Sequence, residues 1–215
     1  MPAYVIEHME DDNADSSFPH WIALEYNQML KWASGSLCIF SSLSPASVSS
    51  LTEQLLARGA NKDQFLASTK SVQELMKEMN VPLEKVCLLD PRAPKEIGPG
   101  DGKEYEWFLF GGILGDDPPR DRTGILRAHG YPGRHLGPIQ MTTDTALGVT
   151  KLCVEDGKTL QSIEMVNHPE IRFSATEAVE MPFIYVKNQE TGEPILPEGM
   201  REHLQADMDR EFDDF

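Results

Sequence analysis

Two runs hold the residues whose types and spacing suit chemistry. The first, Trp107-Phe108-Leu109-Phe110-Gly111-Gly112-Ile113-Leu114-Gly115-Asp116, ends an apolar stretch in glycines and a carboxylate. The second, Leu136-Gly137-Pro138-Ile139-Gln140-Met141-Thr142-Thr143-Asp144-Thr145-Ala146, passes from a Gly-Pro turn into hydroxyls. Glycines lack a Cβ, so they let backbone N–H and C=O groups approach a flat ligand such as a purine; they serve equally in a tight turn or a close helix contact. The spacing is neither G-x-G-x-x-G nor a P-loop, and no Gly-Lys-Ser/Thr follows, which argues against a phosphate cradle. The threonines either cap a helix or, at its N-terminus, receive a ligand carboxylate above an apolar floor of Gly137, Ile139 and Met141. Asp116-Asp117-Pro118-Pro119-Arg120-Asp121-Arg122 is either a self-paired surface turn or a site whose carboxylates orient a cation. Glu7 and His8 follow the first strand, where an α/β sheet presents residues to ligands, or form a solvated loop pair.

Other reaction classes lack their residues. There is no G-x-S-x-G elbow, no H-E-x-x-H and no paired C-x-x-C, and the histidines lack metal-ligand spacing, so no metal is expected. The 35 acidic against 19 basic residues give a net charge of −16. Such a field repels phosphate backbones and attracts cationic partners. Cys38, Cys87 and Cys153 each lie within an apolar run and read as reduced core residues. The N-terminus lacks the charged and apolar regions of a signal peptide, and no stretch is long and apolar enough to span a membrane; a cytoplasmic protein is expected.

The elements that must position these residues alternate. Strands are expected at Tyr4–Ile6, Leu37–Phe40, Val86–Leu89 and Trp107–Phe110, the last apolar on both faces and therefore central. Helical spacing runs from Ile22 to Ala33 and from Ser44-Pro45, a cap with proline at the first position, to Gly59. Ser71–Met79 is weakly helical. Arg120–Ala128 is a candidate helix, Arg134–Leu136 is extended, and Thr142–Val154 is a long helix. Ile163–Val166 and Phe183–Val186 supply further strands, Lys187–Met200 a hairpin-like arm, and Arg201–Phe215 a short helix fraying into an acidic tail. This order predicts an α/β fold on a largely parallel sheet.

The strings FGGILGDDPPRDRT and LGPIQMTTDTA, in that order, with YVIEHME, CLLDPRA, EMPFIYV and ILPEGM around them, resemble the SPOUT-class methyltransferases of fungi and other eukaryotes that modify an arginine of ribosomal protein three of the small subunit. The resemblance spans Tyr4 to Met200. It implies a single-domain SPOUT-like α/β fold over residues 1–200, with a trefoil knot at the cofactor site, an acidic C-terminal tail over 201–215, and a monomer. It also implies that S-adenosylmethionine is bound in a bent conformation among three loops and leaves as S-adenosylhomocysteine. These loops map to Leu89, Asp90 and Pro91; to Gly111, Gly112, Ile113, Leu114, Gly115 and Asp116; and to the segment with Leu136, Gly137, Met141, Thr142, Thr143 and Thr145. The substrate would be a basic ribosomal protein of the small subunit, and nucleic acid is not expected as a direct substrate.

A guanidinium has a pKa above about 12, so an enzyme acting on it must hold it with carboxylates and aim one nitrogen at the methyl carbon. Asp116 and Glu7 are the expected clamp and proton acceptor, with Asp121 or Asp117 in support and Arg120 and Arg122 holding the carboxylates or touching the cofactor. An RNA methyltransferase of the same fold, or a cofactor-binding protein without turnover, are the alternatives.

Overall fold

The computed structural model describes residues 1–9, 18–112, 123–174 and 177–213. Six strands form one sheet: β1 (Ala3–His8), β2 (Leu37–Ser41), β3 (Phe65–Ala67), β4 (Val86–Leu89), β5 (Trp107–Gly112) and β6 (Gly133–Arg134), in the order β3-β2-β1-β5-β4-β6. Every pairing in it is parallel. The connecting helices are α1 (His20–Ala33), α2 (Pro45–Ala57), α3 (Val72–Met79), the single turn α4 (Asp101–Glu104), α5 (Thr123–Arg127) and α6 (Thr143–Val154). Beyond them, β7 (Met165–Asn167) pairs with β10 (Ile184–Val186) and β8 (Glu170–Arg172) with β9 (Ala178–Glu180), both antiparallel. Among the described residues, no helix is long and apolar enough to cross a membrane.

Side-chain alternation along the strands divides the core. Tyr4, Ile6, Cys38, Phe40, Cys87, Phe108 and Phe110 face α1, α2 and α6. Val5, Ile39, Val86, Leu88, Trp107 and Leu109 face α3 and α5. β5 lies between β1 and β4 and buries Trp107 through Phe110, as its doubly apolar sequence requires. The expected cap on α2 is present, with Ser44 Oγ accepting from the Ser47 amide at 3.0 Å. Ser71 and Glu74 form a capping box on α3, firmer than its weak helical pattern suggests.

The C-terminal residues differ from the expected short, fraying helix: α7 (Met200–Asp213) runs fourteen residues. Its start is tied down, because Met200 is buried and the His203 ring lies 5.8 Å from that of His20 on α1. The preceding arm is a hairpin-like turn, with Lys187 bridging Pro194 and the Asn188 amide donating to the Glu193 carbonyl.

Candidate functional site

Parallel strands deliver their C-terminal ends to one edge of the sheet, and there a cleft of about 360 Å³ opens. Leu89 and Asp90 come from the end of β4, Pro91 and Arg92 from the turn after it, and Phe110 and Gly111 from the end of β5. Leu136 through Met141 cross the cleft as a loop, and Thr143 and Ala146 enter from the first turn of α6. Gly137 makes this path possible with φ +97°, a conformation that side-chain-bearing residues rarely adopt. The loop is fixed at both ends: the Gly137 amide donates to His135 Nδ1 at 3.1 Å, and Met141 bridges Ile184.

A half-buried ion pair closes the opposite wall. Arg127 of α5 donates from Nε and Nη2 to the Asp90 carboxylate at 2.5 and 2.7 Å, and the Arg92 amide reaches Asp90 Oδ1 at 2.9 Å. This bidentate geometry orders the guanidinium against the cleft. Sequence alone does not reveal Arg127, which meets Asp90 across 37 positions. Nor does it reveal Arg92, Phe110, Thr123 and Ala146, of which only Phe110 carries a signal, as the last residue of an apolar strand before glycine.

Of the residues expected at a cofactor site, Leu89, Asp90, Pro91, Gly111, Leu136, Gly137, Met141 and Thr143 line this cleft. Gly112 serves the sheet instead, since a Cβ there would stand 2.8 Å from the Glu7 carbonyl oxygen and glycine is what lets β5 continue beside β1. Thr142 is the N-cap residue of α6, and its hydroxyl donates to that of Thr145 at 2.9 Å; neither lines the cleft. Ile113, Leu114, Gly115, Asp116 and Asp121, with Asp117, Arg120 and Arg122, lie outside the described residues, as does the first turn of the expected Arg120–Ala128 helix.

Glu7 stands apart from the cleft. With Ala3 and Val5 it occupies the odd positions of β1, which face α3, and its oxygens accept from Ser41 Oγ at 2.5 Å, Ser42 Oγ at 2.6 Å and the Val72 amide at 2.9 Å. These contacts tie the ends of β1 and β2 to the N-terminus of α3. They differ from the expected clamp, because every oxygen already has a donor.

The chain is similar throughout its length to known proteins. A family model described as protein arginine N-methyltransferase SFM1-like matches residues 3–211. Protein arginine N-methyltransferase SFM1 of Saccharomyces cerevisiae is 41% identical over 220 residues, covering 98% of each chain. The crystal structure of that yeast enzyme complexed with SAM superposes with a TM-score of 0.82 at 39% identity, covering 96% of this chain and 91% of the other. Dual-specific Trm10 of Thermococcus kodakaraensis, at 19% identity over 74% of this chain and 95% of its own, has a TM-score of 0.53, a likeness of fold.

Proposed function

Because this chain belongs to the SFM1-like protein arginine N-methyltransferase family, we propose that it transfers a methyl group from S-adenosylmethionine to an arginine of a basic ribosomal protein of the small subunit, as a cytoplasmic monomer. One observation carries the reading: the ends of β4 and β5 and the 136–143 segment converge on a single cleft with apolar walls, backbone groups and one anchored cation. Its volume, about 360 Å³, suits a nucleoside-bearing ligand. The yeast relative has been crystallised with SAM, SAH and MTA, three molecules sharing a thionucleoside core.

Leu89, Phe110, Leu136 and Met141 supply the apolar surface for the base, with the backbone of Gly111 and Gly137 open beside them. Asp90 holds Arg127 toward the cleft, and Thr143 stands at the N-terminus of α6; both favour an anionic group there. The bound cofactor supplies an electrophilic methyl carbon on a sulfonium. Asp116, which continues from β5 in sequence, aims the reacting guanidinium nitrogen and accepts the proton lost when the N–C bond forms and the C–S bond breaks; Asp121 supports it. Glu7 acts through the backbone, fixing the strand ends from which this segment departs.

Incubation with purified small ribosomal subunits and labelled cofactor, followed by mass spectrometry, tests the reading. A methylated arginine on a ribosomal protein is expected, and Asp116→Asn lowers turnover about a hundredfold or more while leaving cofactor affinity intact. Label confined to RNA, or no transfer at all, overturns it; full turnover by Asp116→Asn removes that residue from the chemistry.

A further inference from the structure

α1 and α6 lie side by side on one face of the sheet, so close that a Cβ on Gly148 would stand 2.5 Å from the Trp32 ring. At the upper end of this seam, the end nearer the cleft, each helix buries a carboxylate. Glu25 is 5% exposed and Asp144 1%. Among the described residues, Glu25 Oε2 and both oxygens of Asp144 have no hydrogen-bond partner, and neither acid forms an ion pair. The Tyr185 hydroxyl of β10 is likewise buried without a partner, and it feels the charge of both acids.

Two desolvated carboxylates facing each other are stable only with a proton or a cation between them. Burial and the neighbouring Asp144 push the Glu25 carboxyl well above its usual range. Burial raises Asp144 to about 6, although the nearby Thr142 hydroxyl and first-turn amides of α6, none of them in hydrogen-bonding geometry with it, favour its ionised form. From the elements packed here, the ionisable groups that face the pair are Glu25 on α1, Asp144 on α6 and Tyr185 on β10. Among the described residues, no lysine, arginine or histidine forms an ion pair with either acid.

We propose that Glu25 and Asp144, with the Tyr185 hydroxyl beside them, form the seat of the acceptor arginine's guanidinium. The inference rests on the arginine methyltransferase reading. A guanidinium is planar, permanently charged and carries five N–H donors, the complement of two carboxylates and a phenol oxygen. Asp144 follows Thr143 and precedes Ala146, both of which form the cleft wall, so the seat backs onto the first turn of α6 from the side of α1. Both carboxylates are closed off from solvent, so an arginine reaches them by parting the upper end of the seam and displaces the proton that keeps the pair from carrying two charges.

N-acetylarginine methylamide and its citrulline counterpart, titrated against the full chain with S-adenosylhomocysteine present, test this directly by NMR and calorimetry. The wild type is expected to bind the arginine compound and discriminate against citrulline, releasing a proton to the buffer. Glu25→Gln and Asp144→Asn, which keep shape and remove charge, are each expected to weaken arginine binding roughly tenfold or more. Their affinity for S-adenosylhomocysteine stays unchanged, which a loss of folding would not permit. Equal arginine binding by wild type and both variants overturns the proposal, as does failure of the wild type to prefer arginine over citrulline. Either result leaves the methylation of ribosomal protein standing or falling on its own experiment.

Discussion

Asp144 links stability to pH in a direction opposite to most surface carboxylates. Its burial holds the folded-state pKa at about 6 against a reference of 3.8, so the native protein binds a proton that the unfolded chain releases. Stability from this group is therefore complete below the reference value, falls as pH rises through the window between the two, and stays lost above it. The shift corresponds to an upper bound of roughly 3 kcal/mol. Asp144→Asn removes the charge and should be more stable than wild type near pH 7.5, by ~1–3 kcal/mol, with the gap closing near pH 4. Urea midpoints at the two pH values check this, and a gap independent of pH would contradict it. The other acid of the pair was not singled out by the sequence: Glu25 lies within the helical run from Ile22 to Ala33, and only the structure shows it buried with Ile22, Tyr26 and Met29. Glu7 was legible as a candidate just past the first strand, but β1 continues through His8, and the face on which Glu7 lies depends on where α3 docks.

At the scale of elements, the α1–α6 seam has no room to spare where Trp32 meets Gly148. Glycine at 148 lets the Trp32 ring lie against the α6 backbone, and even one methyl would force the ring or the helix to move. Gly148→Ala should destabilise by roughly 1–3 kcal/mol through overpacking, read as a lower urea midpoint at unchanged slope. No loss of stability would mean that the seam yields freely. Long elements were legible because their patterns were long: β4 spans the apolar Val86–Leu89 run between Lys85 and Asp90, and α6 follows the Thr142 turn as its sequence predicts. Of the three-residue strands, β7 and β10 overlap expected apolar runs, whereas β3, β8 and β9 were not foreseen, since so few positions establish no period. The cleft was legible where it is made by contiguous chain, at Gly111 and at Leu136 through Thr143. It was illegible where it is made by distant residues, as in the Asp90–Arg127 pair.

The whole molecule is an anion, and its basic residues do little to offset that near the surface. Lys31, Lys70, Lys151, Lys187 and Arg201 are each engaged with a carboxylate, so their positive charge is locally answered and the excess of acid remains. Individually such exposed pairs contribute little to stability. Their collective consequence concerns encounter: a net charge of −16 draws in a basic protein over distances that salt screens. The cleft proposed for the cofactor, by contrast, offers short contacts and a half-buried ion pair, which salt reaches less. Raising ionic strength from about 50 mM to about 500 mM shortens the screening length by roughly threefold and should raise KM for a basic ribosomal acceptor while leaving kcat and the KM for cofactor almost unchanged. A KM for the acceptor that ignores salt would mean that short-range contacts alone select the substrate, and the acidic surplus would then need another explanation.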